Sequence, residues 1–228
     1  MPAMHSEPQL RVMAPLLAAI VLAVLAGCSS RPELADPGSD APEQRRPAAH
    51  RLTNDVGSYA EALQAWRTPA DVNAWIGARF EYSMARAMLL SETQRSRNGT
   101  LPIATADAFF AAPSGVCVDL ARFAIDTLRR IDPATEPSFL MIEFAPVTIA
   151  GNALRRHWLA SYRRDGKLWF FADSKRPGHI AGPYDSSADF IADYAAYRGR
   201  PIVAFRELAT HERRLRTAAK KQGREAPP

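Results

Sequence analysis

The chain contains two cysteines, and their surroundings predict a different role for each of them. Cys28 follows directly after an apolar run that covers residues 12–26. Cys117 lies in residues 114–123, where a glycine-containing loop leads into the pattern of an amphipathic helix. If Cys28 is consumed by lipid attachment, Cys117 has no disulfide partner within the chain. A lone thiol in an exported protein is exposed to oxidation, so Cys117 calls for a functional explanation.

Residues 1–27 have the pattern of a targeting segment. Arg11 supplies positive charge, and the fifteen residues 12–26 carry no charge. This run is shorter than the roughly 20 residues that a helix needs to cross a bilayer. The sequence Leu-Ala-Gly-Cys, which ends at Cys28, resembles the bacterial lipobox. The resemblance implies cleavage before Cys28 and diacylglycerol on its sulfur, whereas an ordinary secretory signal is the alternative.

The lipobox implies a bacterial cell-envelope protein that is anchored in the membrane through Cys28. The two serines that follow Cys28 are typical of release to the outer membrane, with the protein facing the periplasm. Residues 28–53 contain four prolines and almost no large apolar side chains, which predicts a flexible tether. Residues 54–210 then suit one compact domain.

The net charge of +5 belongs to the C-terminal end of the chain. From Arg198 onward there are nine Lys or Arg against three Glu, which leaves a balance of −1 for everything before. Residues 211–228 are therefore predicted to form a basic tail that anionic lipid or polymer would attract. A solvated, frayed terminus is the alternative. Because no aromatic residues alternate with these charges, nucleic acid is not expected as a partner.

The apolar patterns predict helices before strands, with a polar loop over residues 91–100. Arg164-Asp165-Gly166 marks a hairpin turn between two of the strands. Helices followed by mainly antiparallel strands argue for an α+β domain. The predicted helices cover residues 68–90, 117–132 and 186–197, and the predicted strands cover 139–144, 154–162, 167–173 and 202–205.

Cys117 is predicted to lie in the first turn of a helix. There it meets unpaired backbone N–H groups and the positive end of the helix dipole, both of which favour the thiolate. The same N–H groups could hold a developing oxyanion. The alternative is a buried cysteine that acts as a small apolar side chain, which is the usual fate of a free cysteine.

A thiolate nucleophile needs a base, and His157 is the candidate. Of the five histidines, His157 alone lies on a predicted strand, which would hold its imidazole rigidly. His5 and His50 precede the domain, His179 lies in a loop, and His211 lies in the basic tail. A histidine on a strand is by itself more often structural than catalytic.

Asp173 is the candidate group that orients the imidazole. It ends the strand that follows the one carrying His157. A two-residue turn, Asp165-Gly166, would place Asp173 and His157 on opposite faces, whereas a three-residue turn would place them directly opposite each other. The catalytic hypothesis therefore requires the three-residue turn or an equivalent bulge, with Gly166 in the left-handed position.

Three motifs in order resemble the transglutaminase-like superfamily, a branch of the papain-like Cys-His-Asp folds. Residues 75–82 are similar to the helix and Tyr that precede the nucleophile. Residues 115–121 resemble the Gly-x-Cys motif, and residues 157–173 resemble the His strand, turn and Asp strand. The resemblance implies a nucleophile at a helix N-terminus packed against an antiparallel sheet. It assigns Cys117 as nucleophile, His157 as base and then acid, and Asp173 as the orienting carboxylate.

The predicted activity is acyl transfer at amide or peptide carbonyls through a thioester on Cys117. The acceptor is water or an amine, and hydrolysis is favoured because no amine pocket is identified. The predicted substrate is a protein or peptide, and the site needs no cofactor or metal, since zinc and nucleotide motifs are missing from the sequence. The alternative is a catalytically inactive binding lipoprotein that retains the same fold.

Overall fold

A computed structural model describes residues 39–43, 56–99 and 101–211. The predicted signal peptide, Cys28, most of the tether and nearly all of the basic tail lie outside the described residues. The helices are α1 (Tyr59–Ala65), α2 (Pro69–Arg79), α3 (Met84–Leu89), α4 (Glu92–Asn98), α5 (Ala106–Ala111), α6 (Cys117–Ile131) and α7 (Ser187–Arg198). The strands are β1 (Glu81–Tyr82), β2 (Ser114–Gly115), β3 (Ser138–Ile149), β4 (Asn152–Arg164), β5 (Lys167–Phe171), β6 (Ala181–Tyr184) and β7 (Ile202–Leu208).

A five-stranded sheet forms the centre of the fold. Its strand order is β6-β5-β4-β3-β7, and every neighbouring pair is antiparallel. Six helices precede the sheet in the chain, and the sequence prediction of an α+β domain is therefore confirmed.

Both faces of the sheet are buried. Alternate side chains of its central strand β4 point to opposite sides, and those on each side join a different apolar cluster. Ala160 and Tyr162 join an apolar cluster with the side chains of α6. Leu159 joins a second cluster, in which Phe190 and Tyr194 of α7 pack against the sheet. The two sides of β4 therefore face different helices.

Helix α6 forms where the apolar spacing predicts it. Leu120, Phe123, Ala124 and Leu128 recur at helical spacing and are all 0 % exposed. Full burial of a leucine or phenylalanine stabilises the fold by about 1.5–3 kcal/mol each. The helix ends at Ile131, just before Asp132-Pro133, since proline cannot continue the backbone hydrogen bonds.

The helix predicted over residues 68–90 is wrong in its continuity, because it is interrupted at residues 80–83 and resumes as α3. Helix α2 begins as expected behind the Thr68 capping box but ends at Arg79. Phe80 turns to an extended conformation, and β1 then pairs in parallel with β2. Two backbone bonds fix this pairing: Glu81 N–H donates to the Pro113 carbonyl at 2.8 Å, and Ser83 N–H donates to the Gly115 carbonyl at 2.8 Å. This long-range ladder overrides the local helical periodicity.

The polar stretch predicted as a loop contains the short helix α4. Ser91 caps its N-terminus by accepting from the N–H of Gln94. Thr93 accepts from the backbone N–H of Ala153 at 3.0 Å, which attaches the helix to β4. Capping and contact with the sheet stabilise this helix. Its sequence has no apolar stripe, so periodicity does not predict it.

The β4–β5 hairpin has the two-residue turn. Arg164 pairs with Lys167, and both intervening residues have positive φ, 53° at Asp165 and 74° at Gly166. This is the turn whose twist matches paired strands, and Asp-Gly is a preferred sequence for it. The three-residue turn, one of the two arrangements that the catalytic hypothesis allowed, is therefore wrong.

Candidate active site

Cys117 is the first residue of α6 and is nearly buried, with 6 % of its surface exposed. Its thiol therefore lies beside the positive end of the helix dipole and the free N–H groups of the first turn. Cys117 forms no disulfide, and no other cysteine lies among the described residues. The structure places the thiol where the sequence pattern predicts it.

A buried ion pair fixes the loop that precedes the thiol. The carboxylate of Asp119, which is 0 % exposed, accepts from the N–H groups of Val116 and Ala104 at 3.1 Å each. Arg86 donates to both of its oxygens, at 2.6 and 2.7 Å. A Cβ at Gly115 would lie 3.0 Å from the Asp119 side chain, so a larger residue there would force that side chain to shift. Sequence analysis did not assign Arg86 a role, because its partner lies 33 residues further along the chain.

His157 lies on β4 and is fully buried. Side chains alternate along the strand, so His157 points to the side opposite Trp158 and to the same side as Leu159. Its imidazole therefore points toward the cluster on the α7 side. The ring stacks on Tyr194 at a centroid distance of 5.9 Å. Its Nε2 lies 3.0 Å from the Tyr194 hydroxyl and 3.0 Å from Oδ1 of Asp173. These contacts hold the imidazole in one orientation.

Asp173 reaches His157 although the strand register alone would place the two on opposite faces. Strand β5 ends at Phe171, and Ala172 then adopts a φ of 56° in the left-handed region. This single residue breaks the alternation and turns Asp173 toward the imidazole. The alternative of an equivalent irregularity, which the sequence left open, is the one that the structure contains.

Three further donors hold the Asp173 carboxylate, which is 2 % exposed. The backbone N–H of Lys175 donates to Oδ1 at 2.8 Å, and the Tyr194 hydroxyl donates to Oδ2 at 3.1 Å. Arg176 donates to Oδ2 at 3.3 Å. A carboxylate held this firmly is suited to orient an imidazole.

Asp40 is part of the site, which sequence analysis missed. Its Oδ1 accepts from Arg198 at 2.8 Å, and its Oδ2 lies 3.1 Å from Nδ1 of His157. The His157 contact is an ion-pair contact only, because the Nδ1 geometry does not meet that of a hydrogen bond. Asp40 comes from the range predicted as a tether, where an isolated acid among prolines and small residues carries no local signal.

Cys117, His157 and Asp40 converge at one point. The thiol sulfur, one imidazole nitrogen and one carboxylate oxygen lie within 4.8 Å of one another. The structure thus brings together the thiol, the imidazole and two carboxylates, one on each side of the ring. His179 is not in this group: it lines a cavity with Arg176 and Tyr194, both of which contact Asp173.

Opposing influences set the pKa values of these groups. Burial would lower the pKa of His157, but Asp40 and Asp173 outweigh burial and hold that pKa well above its usual value. Burial raises the pKa of the Cys117 thiol, and His157 offsets this only in part, while Asp40 raises it further. Burial would also raise the pKa of Asp40, but His157 and Arg198 lower it to about 2. The two carboxylates therefore favour an imidazolium at His157, while burial favours the protonated thiol at Cys117.

The same atoms include ligand types that zinc accepts: a sulfur, a nitrogen and a carboxylate oxygen. A ligating imidazole must be neutral, so a metal ion would have to displace the proton that Asp40 and Asp173 favour on His157.

Comparisons with models of protein families, with curated proteins and with solved structures found no match. None of the helices in residues 39–43, 56–99 and 101–211 has the length and apolar character that a membrane crossing requires. What the chain does must therefore be inferred from its own sequence and geometry.

Proposed function

We propose that the domain has a transglutaminase-like fold and catalyses acyl transfer at amide or peptide carbonyls. Cys117 is the nucleophile, His157 the general base and acid, and Asp173 the orienting carboxylate. The observation that carries this proposal is the spatial order of the three groups. The thiol at a helix N-terminus lies within 4.8 Å of an imidazole nitrogen, and the Nε2 nitrogen of that ring lies 3.0 Å from Asp173.

The first half of the reaction forms a thioester. Cys117 gives its proton to His157, and the thiolate attacks the carbonyl carbon to form a C–S bond. The N-terminal N–H groups of α6 lie where they can stabilise the negative charge on the oxygen. The C–N bond then breaks, and His157 gives its proton to the leaving amine.

The second half releases the acyl group. Water gives a proton to His157 and attacks the thioester carbonyl, and the C–S bond breaks as the thiolate takes the proton back. An acceptor amine can replace water, which makes the same site a cross-linking enzyme. Hydrolysis is the favoured outcome because water is always present.

The proposed setting is the bacterial envelope, with the domain tethered to the outer membrane by lipid on Cys28 and facing the periplasm. The substrate is then a protein or peptide of that compartment. This part of the proposal rests on the lipobox-like residues that end at Cys28.

A second candidate is a non-catalytic binding lipoprotein. One observation favours it: burial raises the pKa of the Cys117 thiol, and the neighbouring carboxylates raise the pKa of His157. A thiol in that state is a poor nucleophile.

Alkylation with iodoacetamide at neutral pH separates the two candidates, with mass spectrometry of the Cys117 peptide as the readout. The catalytic proposal expects labelling that falls at least about tenfold in His157→Gln, because the neutral amide cannot accept the proton. His179→Gln is the matched control and should label like the wild type. Equal labelling in all three proteins would support the binding lipoprotein instead.

A further inference from the structure

Residues 39–43, which we call the strap, occupy a groove beside the thiol. The Ser39 carbonyl accepts from Lys175 at 3.3 Å and from Arg198 at 3.4 Å, and the Asp40 carbonyl accepts from the Ser174 hydroxyl at 2.9 Å. Ser39 is only 4 % exposed, and exposure increases along the strap to Glu43, so the strap is buried at the end that carries Ser39. The strap thus binds with its backbone and its side chains together, as a peptide ligand would.

Two buried cations line this groove. Lys175 and Arg198 are 5 % and 4 % exposed, and burial together with the Arg198 charge lowers the pKa of Lys175. Burying two like charges together is unfavourable unless anions compensate them. The strap supplies Asp40, whose carboxylate accepts from Arg198 at 2.8 Å, and Glu43, whose charge acts on Lys175. Without the strap, the groove has an excess of positive charge.

The groove also retains unused hydrogen-bonding capacity. Nε of Arg198 is buried and has no hydrogen-bond partner among the described residues. The guanidinium contacts the Tyr194 hydroxyl at 3.1 Å as well as Asp40. Because guanidinium is well suited to carboxylates, its burial at this point indicates a site built for one.

We propose that Arg198 and the nearby cation Lys175 form a carboxylate-binding subsite beside Cys117, that Ser174 holds the adjoining backbone carbonyl, and that Asp40 fills this subsite in cis. The proposal rests on the acyl-transfer function above and names its substrate class. The substrate carries a carboxylate close to the carbonyl that is attacked, and it enters by displacing the strap.

The strap also slows the chemistry of the thiol. Asp40 lies beside His157 and favours its protonated form, which disfavours transfer of the Cys117 proton to the imidazole. Asp40 acts as the counter-ion to the imidazolium, which is the role that the thiolate takes in an active Cys-His pair. When the strap leaves, the thiolate can become that counter-ion. The strap is thus an autoinhibitory contact that a suitable substrate relieves.

The test compares two alkylating reagents that differ in one carboxylate. Iodoacetate and iodoacetamide react with the same thiol, and the ratio of their rates reports attraction of a carboxylate to the groove. Full-length protein in detergent is compared as wild type, Asp40→Ala and Asp107→Ala. Asp107 is the matched control, because it is an exposed aspartate on α5.

We expect Asp40→Ala to label faster with both reagents and to raise the iodoacetate-to-iodoacetamide ratio about tenfold or more over wild type. Asp107→Ala should leave the ratio unchanged. Adding Lys175→Met or Arg198→Met to Asp40→Ala should return the ratio toward the wild-type value. Because Arg198 is buried, the melting temperature of each variant is measured, and Lys175→Met decides the matter if Arg198→Met unfolds.

A ratio that is the same in Asp40→Ala and wild type would overturn the subsite, while His157-dependent labelling by iodoacetamide would leave the acyl-transfer proposal standing. A ratio that rises equally in Asp107→Ala would also overturn the subsite, since it would reflect overall charge. A thiol that reacts with neither reagent in every variant would overturn both proposals.

Discussion

Asp173 lies 3.0 Å from His157, and this contact depends on the left-handed backbone of the alanine before it. The two-residue hairpin turn sets a register in which the two side chains would point to opposite faces of the sheet. Ala172 reverses that arrangement just after β5 ends. A left-handed conformation at a non-glycine residue costs of order 1–3 kcal/mol and tends to occur at functional sites.

The first prediction concerns Asp173→Asn. The amide is nearly isosteric but can favour the wrong imidazole tautomer, so Cys117 reactivity should fall by up to about 10⁴-fold, as in the serine-protease triad. The melting temperature should change little by comparison. Iodoacetamide labelling and thermal unfolding are measured on the same preparation. Labelling equal to wild type would remove Asp173 from the site and leave a Cys-His pair.

The second prediction concerns the ion pair below the nucleophile loop. Arg86→Ala leaves the Asp119 carboxylate buried without its cation, so the free energy of unfolding should fall by about 3 kcal/mol. Arg163→Ala is the matched control, because its partner Glu136 is largely exposed, and it should cost less than about 1 kcal/mol. Urea denaturation measures both. Equal losses would show that Asp119 does not depend on Arg86.

The third prediction is a pH window for the contact between Asp40 and His157. The folded-state pKa of Asp40 is lowered from 3.8 to about 2, so its stabilisation is present above 3.8 and is lost as pH falls toward 2. The folded-state pKa of His157 is raised, so its stabilisation is present below 6.5 and is lost as pH rises through the raised value. Asp40→Asn should therefore cost most at about pH 5, by roughly 2 kcal/mol.

Urea unfolding of wild type and Asp40→Asn at about pH 2, 5 and 10 measures this window. The difference in unfolding free energy should be largest at the middle value and smaller at both extremes. A difference that does not vary with pH would mean that Asp40 stabilises the fold by packing alone.

The fourth prediction tests the membrane anchor. Metabolic labelling with a fatty-acid analogue should tag the wild type and Cys117→Ser, and it should not tag Cys28→Ser. Cys117→Ser is the control, because it removes a cysteine but leaves the predicted lipid site at Cys28. Continued labelling of Cys28→Ser would contradict lipid attachment at that residue.

Local patterns in the sequence predicted much of the fold and the positions of Cys117 and His157. Helix α6 and strand β4 carry their own apolar periodicity, so their existence and their faces follow from nearby residues. Phe80 illustrates the opposite case, because a pairing with residues more than 30 positions away ends its helix. Periodicity within one window cannot report such a contact.

The missing parts of the site are long-range as well. Asp40 and Arg198 are 158 residues apart, and their pairing depends on how the strap lies against α7. No spacing rule connects them. The sequence indicated Asp173 by its position at the end of a predicted strand. The left-handed backbone of Ala172, which orients Asp173, has no sequence signature because alanine rarely adopts that conformation.

Acylation of Cys117 by p-nitrophenyl acetate, followed by intact-protein mass spectrometry and by nitrophenol release, tests the central proposal most directly. The account predicts an acetyl thioester on Cys117, a burst of nitrophenol and then continued turnover in the wild type. Cys117→Ala should show neither, and His157→Gln should lose the turnover. Nitrophenol release that is equal in the wild type and Cys117→Ala, with no thioester on Cys117, would contradict it.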